Sequence, residues 1–181
     1  MRRRPDTELI VLVRKGSSEA AEALFDRYWT HAWRAAYAVT ADRALADDAA
    51  QEAIHKAFSS LHRFDETRPF GPWLKRIAVN RAIDHLRRTK RLSGLADDAA
   101  AALHVWSVSE SADEDLRHWA IADAVAELGP QRRIVIVLHY WLDLSVEEIA
   151  GVLGLPVGTV ASRLSRALAE LRAALEEDRV L

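Results

Sequence analysis

The stretch that most constrains this 181-residue chain is Leu144–Leu175, LSVEEIAGVLGLPVGTVASRLSRALAELRAAL. Ser145 suits an N-cap, and Glu148 three residues later completes a capping box. Ile149, Ala150 and Leu153 form the buried side of a first short helix, with the small Ala150 where two helices must cross closely. Gly154 supplies a turn, and Pro156 suits the first turn of a second helix. On that helix Val160, Leu164, Ala167, Leu168, Leu171 and Leu175 share one face at 3.6 periodicity. Thr159, Ser162, Arg163 and Arg166 fall on the opposite face, near its N-terminal end. The pattern is that of a helix-turn-helix, in which the N-terminal residues of the second helix meet base edges. An ordinary helical hairpin with a solvated Arg/Ser face is the alternative; cap, glycine, proline and spacing together favour the DNA-reading form.

Composition narrows the remaining chemistry. The chain has no cysteine, which excludes disulfides and thiolate metal sites. Its seven histidines include no pair four apart on a helix, so no metal site is expected. The apolar run Leu9–Val13 behind the N-terminal arginines is too short for a signal peptide. No segment approaches the roughly 20 apolar residues of a membrane span. A cytosolic protein without direct membrane insertion is expected.

The net charge of −2 hides an asymmetry. Residues 67–91 hold eight Lys/Arg against Asp84 alone, whereas residues 92–130 hold Arg117 against eight acids. A local basic block is the electrostatic footprint of a phosphate-binding surface. The acidic block beside it either masks that surface or keeps a linker solvated.

Helical periodicity dominates, and no strand pattern appears. The spacing predicts eight helices, over 6–14, 18–39, 43–63, 72–91, 113–128, 131–141, 145–153 and 156–176. The β-branched run Ile134–Leu138 reads as a fully buried helix whose apolar surface Tyr140 and Trp141 continue. Phe25, Tyr28, Trp29 and Trp33 on the second helix read as core. Residues 92–112 are Ser/Ala/Asp-rich without sustained periodicity and read as a linker. Two small all-α domains, 1–91 and 113–181, are therefore expected. A flexible coil of that length spans about 25 Å, and a fully extended one about 70 Å. One turn of DNA is about 34 Å, so the two domains can reach sites more than a turn apart.

The helix 72–91 carries the basic block. Leu74, Ala78, Val79, Ala82, Ile83 and Leu86 form its apolar side, and Trp73, Arg76, Asn80, Asp84, Arg87 and Arg91 line the other. Arginine, asparagine and a stacking tryptophan suit phosphates and exposed bases; a charged outer face is the plainer reading. Just before it, Phe64–Gly71 forms a short loop with two aromatics and Arg68. Such a loop suits an unstacked base, although Phe64 reads better as a core plug. On the helix 43–63, Asp47, Asp48, Gln51, Glu52 and His55 share one polar arc. DNA would repel that arc, so any partner it has is protein.

These residues resemble a family. DDAAQEAIHKAFSSLHRF, a short loop, and WLKRIAVNRAIDHLRR are similar to region 2 of bacterial sigma factors. The helix-turn-helix stretch is similar to their region 4, and the pairing of these two regions alone resembles the small extracytoplasmic-function (ECF) group. The resemblance implies that the protein binds core RNA polymerase and directs it to promoters. It assigns Asp47, Asp48, Gln51 and Glu52 to the clamp of the largest polymerase subunit, and implies a further contact at the flap region. It assigns the loop Asp65–Gly71, with Arg68 and Phe70, to a flipped base of the minus-ten element. Asn80, Asp84, Arg87 and Arg88 match the helix that contacts and melts that element, and Trp73 and Arg76 on the same helix are further candidates to face it. Thr159, Ser162, Arg163 and Arg166 match the reader of the minus-thirty-five element. An anti-sigma factor is a further implied partner, and no cofactor is implied. Ala161 departs from the pattern, since many members carry Lys or Arg there.

Two other classes of function compete. A stand-alone helix-turn-helix repressor explains residues 113–181, but leaves the basic helix and acidic arc without a role. A helical enzyme using Asp84 and His85 as a metal pair fails on geometry, because adjacent helical residues point about 100° apart. No nucleophile–base pair, phosphate-cradling glycine loop or metal-ligand spacing is present, so no enzyme is expected.

Overall fold

The computed structural model describes residues 4–89 and 122–177, and every regular element among them is helical. The elements are α1 (Asp6–Arg14), α2 (Ser18–Thr40), α3 (Arg43–Ser60) with a 3-10 turn at Leu61–Arg63, α4 (Phe70–Arg88), α5 (Ala122–Glu127), α6 (Pro130–Tyr140), α7 (Val146–Leu153) and α8 (Val157–Glu177). The expected linker, the start of the expected fifth helix and Arg91 lie outside the described residues. The described chain gathers into two units. One holds the residues up to Tyr37 together with Asp42–Ala82; the other holds Ala38–Ala41 and the residues from Ile83 onward.

The first unit is buried largely on alanine. Ala20, Ala23, Ala32, Ala35 and Ala36 of α2, Ala46, Ala49, Ala50, Ala53 and Ala57 of α3, and Ala78 and Ala82 of α4 are all at most 5% exposed. Larger apolar anchors are Leu9 and Ile10 on α1, Leu24, Ile54, Leu61, Phe64, Phe70, Leu74 and Val79. Side chains this small let helices approach closely, at the short end of the roughly 8–10 Å interaxial range. Asp42 starts α3 by accepting from the amides of Ala44 (3.1 Å) and Leu45 (3.2 Å), as an N-cap should. Asp6 ties α1 to α2 through Arg27 and the Tyr28 hydroxyl.

The aromatic patch of α2 is not core. Phe25 is 39% exposed, and Trp29 and Trp33 are half-buried. Phe25 stacks on Trp29 with ring centroids 5.4 Å apart, and Trp33 on Tyr37 at 5.0 Å. Spacing of four residues lets these rings stack along the helix surface, while the alanines between them take the interior.

In the second unit α6 is a helix, as expected, and Ile134–Leu138 are all at most 5% exposed. Burial on all sides overrides the β-branched preference for strands. Tyr140 departs from the expectation: it is 50% exposed, having passed beyond the buried turn. Helix α8 packs on α5, α6 and α7, with Val160, Leu164, Ala167 and Leu171 buried. The capping box forms, with the Glu148 amide donating to Ser145 Oγ (3.2 Å) and the Ser145 amide donating to Glu148 Oε2 (2.7 Å). Gly154 ends α7 in the left-handed region (φ 63°, ψ 37°). Pro156 stands just ahead of α8, its carbonyl accepting from the amides of Thr159 and Val160.

A buried arginine anchors this unit. Arg133 is 5% exposed. Its Nε donates to Val39 O (2.9 Å) and its Nη2 to Thr40 O (3.1 Å), at the end of α2. Its Nη1 donates to Ala126 O (2.6 Å) and Leu128 O (3.1 Å), at the end of α5. Helix C-termini leave orphan carbonyls and the negative end of the dipole, and a guanidinium supplies charge-assisted donors to both.

Replacing Gly154 by alanine puts a Cβ in left-handed backbone, which costs about 1–2 kcal/mol. Chemical denaturation should show Gly154→Ala less stable by that amount; unchanged stability would refute the requirement for glycine at this turn.

Candidate nucleic-acid interface

The four candidates for reading duplex DNA lie on the first three turns of α8. Ser162 and Arg166 are exposed, and Thr159 and Arg163 are half-buried. Ser162 Oγ donates to Thr159 O (3.0 Å), which leaves its lone pairs outward. Arg163 lies partly inside. Its Nη1 is buried without a hydrogen-bond partner, and desolvation lowers its pKa below the usual guanidinium value. Arginine nevertheless stays charged, and a buried donor without a partner is costly. Drawing it out to a base edge or phosphate supplies the missing acceptor.

Helix α4 presents its polar side as a half-buried face. Trp73, Arg76, Asn80, Asp84 and Arg87 are all intermediate in burial, and Arg88 is exposed. The opposite side, from Leu74 to Leu86, is buried as the periodicity predicts. Asp84 and Arg87 pair at 3.8 Å, and Arg87 Nη2 reaches Val152 O at 3.4 Å. The basic face is thus partly held by its own acid.

The loop ahead of α4 is built on aromatics. Phe64 and Phe70 are 6% and 3% exposed. Phe70 meets Tyr28 edge-on at 4.9 Å and Phe64 at 5.7 Å, and Phe64 lies 4.7 Å from Trp73. Phe64 is the core plug expected. Phe70, expected to meet DNA, is buried instead, because α4 starts at Phe70 and turns that ring inward. The exposed tip is Asp65–Pro69. Asp65 Oδ1 accepts from the Thr67 amide (3.0 Å) and hydroxyl (2.7 Å), and its other oxygen faces Arg68 at 3.5 Å. Those hydrogen bonds from Thr67 hold the Asp65 carboxyl below the usual carboxylate range, with Arg68 adding to them.

The acidic arc stands on α3. Asp47, Asp48 and Gln51 are exposed and Glu52 is half-buried. Trp33 Nε1 donates to Asp47 Oδ1 (2.6 Å), fixing that carboxylate from the neighbouring helix. Gln51, Glu52, His55 and Lys56 line a shallow groove together with Arg81 of α4. Trp33 and Arg81 are contributors that pattern reading missed. Trp33 sits in an aromatic-rich helix and counts as core by composition, and Arg81 lies off the basic stripe. No group of three or more His, Asp or Glu able to hold a metal occurs among the described residues. No described helix is long and apolar enough to cross a membrane.

The described residues thus hold a helix-turn-helix with an Arg/Ser face on α8, a basic helix α4 and an acidic arc on α3. The family model for Sigma-70 region 2 matches residues 24–92, and that for Sigma-70 region 4 matches residues 118–171. The chain is 35% identical over 166 residues to the ECF RNA polymerase sigma factor SigL of Mycobacterium tuberculosis, covering 89% of this chain and 93% of that one. It is 33% identical over 175 residues to the ECF RNA polymerase sigma factor SigW of Bacillus subtilis, covering 91% and 94%. Among solved structures it is similar to CnrH in complex with the cytosolic domain of CnrY, with 29% identity, a TM-score of 0.52 and coverage of 96% and 98%. The chain belongs to the sigma-70 family of RNA polymerase sigma factors, in its ECF group.

The lowered pKa of Asp65 has a definite sign. The carboxylate form holds the loop tip, so its support is complete at neutral pH and is lost as pH falls through the lowered pKa. The Thr67 amide shift in NMR should titrate with a midpoint below the ordinary aspartate value. A midpoint at or above that value would refute the Asp65–Thr67 contact.

Proposed function

We propose that this chain binds core RNA polymerase, directs it to specific promoters and helps open them, with three surfaces dividing the work. The carrying observation is the exposed arc of Asp47, Asp48 and Gln51, beside Glu52 and steadied by Trp33, in the same unit as Trp73, Arg76 and Asn80 of α4. A DNA-only regulator has no use for an acidic surface in that unit, because DNA repels it. In this reading the arc docks on the clamp of the largest polymerase subunit, and the C-terminal domain docks at the flap region. The polymerase carries the chemistry, and the chain needs neither cofactor nor metal.

Thr159, Ser162, Arg163 and Arg166 then read the upstream element as duplex in the major groove, where each base pair presents a distinct pattern. Arg68, Trp73, Arg76, Asn80, Asp84, Arg87 and Arg88 face the downstream element, which is read as single strand by stacking and pockets. Phe70 serves that surface from beneath, as support for the loop. The domains are proposed as 1–91 for polymerase and the downstream element, 92–112 as linker and 113–181 for the upstream element. Since CnrH was solved bound to the cytosolic domain of CnrY, a regulatory protein that holds the free chain, an anti-sigma factor, is proposed as a further partner. The site of action is the cytoplasm, with the polymerase.

Run-off transcription with sigma-free core polymerase tests this directly. Added chain should give specific initiation; absence of initiation, with tight duplex binding by the chain alone, would favour a stand-alone regulator. Asp48→Arg should weaken binding to core by at least tenfold while leaving the fold intact by circular dichroism, and unchanged affinity would remove the arc from the interface. Arg163→Ala should weaken discrimination of the upstream element by about 1–3 kcal/mol, and unchanged promoter preference would end its base-reading role.

A further inference from the structure

Arg14 ends α1 and looks in sequence like any cation in a last helical turn. Its surroundings give it a different task. Its Nε and Nη2 both donate to Leu61 O, at 3.0 and 2.9 Å, in the 3-10 turn that closes α3. The same Nη2 donates to Phe64 O at 2.5 Å, where the loop begins. Its Nη1 pairs with the carboxylate of Glu66, inside the loop. One guanidinium therefore grips the loop's entry at three places, 47 to 52 residues away in sequence.

The rest of the loop is held by other means. Phe64 and Phe70 anchor its two ends in the aromatic cluster, and Asp65 closes its tip on Thr67. Phe64 O is the acceptor that links the anchored ring to the free tip. Without Arg14, the end of the 3-10 turn and the first loop residue lose their charged donor, and Glu66 loses its partner. The loop then keeps its exit at α4 and the Phe64 ring, but the backbone from Phe64 to Glu66 loses its charged hold.

We propose that Arg14 is a positioning residue for capture of an extruded DNA base, holding the loop from Phe64 to Glu66 in its binding shape before the DNA arrives. This rests on the reading of the loop as a single-strand pocket. Preorganisation of this kind removes an ordering cost from binding, so the loss should fall on the base that the loop holds and on no other contact. Lysine does not replace it, because a single ammonium lacks the planar fork that spans two carbonyls and a carboxylate.

The test uses holoenzyme reconstituted on core polymerase and single strands carrying the downstream element, each with one abasic position. With the native chain, one abasic position should weaken binding by roughly tenfold. With Arg14→Ala, that penalty should fall to about twofold or less, because the base was no longer well held, while affinity for the abasic strand itself and for the upstream duplex stays unchanged. Merely structural damage would instead lower affinity for every strand together, and that result, or a penalty left at its native size, would overturn the proposal. Arg14→Lys, which keeps charge and stem, should behave like Arg14→Ala; should the alanine variant fail to fold, the lysine variant is decided by the same ratio. A native holoenzyme with no abasic-sensitive position would overturn the pocket reading itself, and is distinguished because it shows before any variant is measured.

Discussion

The first unit depends on helix faces built of buried alanine. Helix α3 buries Ala46, Ala49, Ala50, Ala53 and Ala57 and only one larger side chain of its own, Ile54. Alanine is the best helix former and loses no rotamer freedom on burial, so little is lost in ordering such a face. Its apolar area is small, and dispersion summed over many such contacts supplies the gain. Asp47, Asp48 and Gln51 lie on the exposed side of α3, and on α2 the large rings stand outside the alanine stripe in stacked pairs.

Arginine is used in two ways, and the contrast organises both units. Arg133 and Arg14 turn inward onto backbone carbonyls at and just beyond helix ends. They fix the close of α2 and α5 in one unit, and the entry to the loop in the other. Arg68, Arg88 and Arg166 remain exposed. Arg163 stands between, with one donor buried and unanswered. Of the candidate DNA surfaces, the loop ahead of α4 begins on backbone that Arg14 holds.

Much of this was legible in the chain. Ser145, Glu148, Gly154 and the apolar face from Val160 to Leu171 each carry a local rule, and the local rules agree with one another. The helix at Ile134–Leu138 was legible from the helical periodicity of the chain, although Tyr140 does not continue its buried surface. Three things were not. Arg14 and Arg133 act on carbonyls brought near only by folding, and no spacing announces such contacts. The α2 aromatics follow helical periodicity, yet periodicity does not say which stripe of a helix faces inward when alanines offer another. Phe70 sits in a polar loop by pattern, but α4 begins on it and turns it inside. In each case tertiary placement decided among options that local chemistry left open.

The central claim is that one chain reads duplex with α8 and opened strand with α4. The most direct test is one holoenzyme preparation probed in two ways on one promoter: protection of the upstream element, and permanganate reactivity of downstream thymines. Asn80→Ala should lose downstream reactivity while keeping upstream protection, and Arg163→Ala should lose upstream protection first. The reverse pattern, or both signals falling together in both variants, would contradict the division of labour.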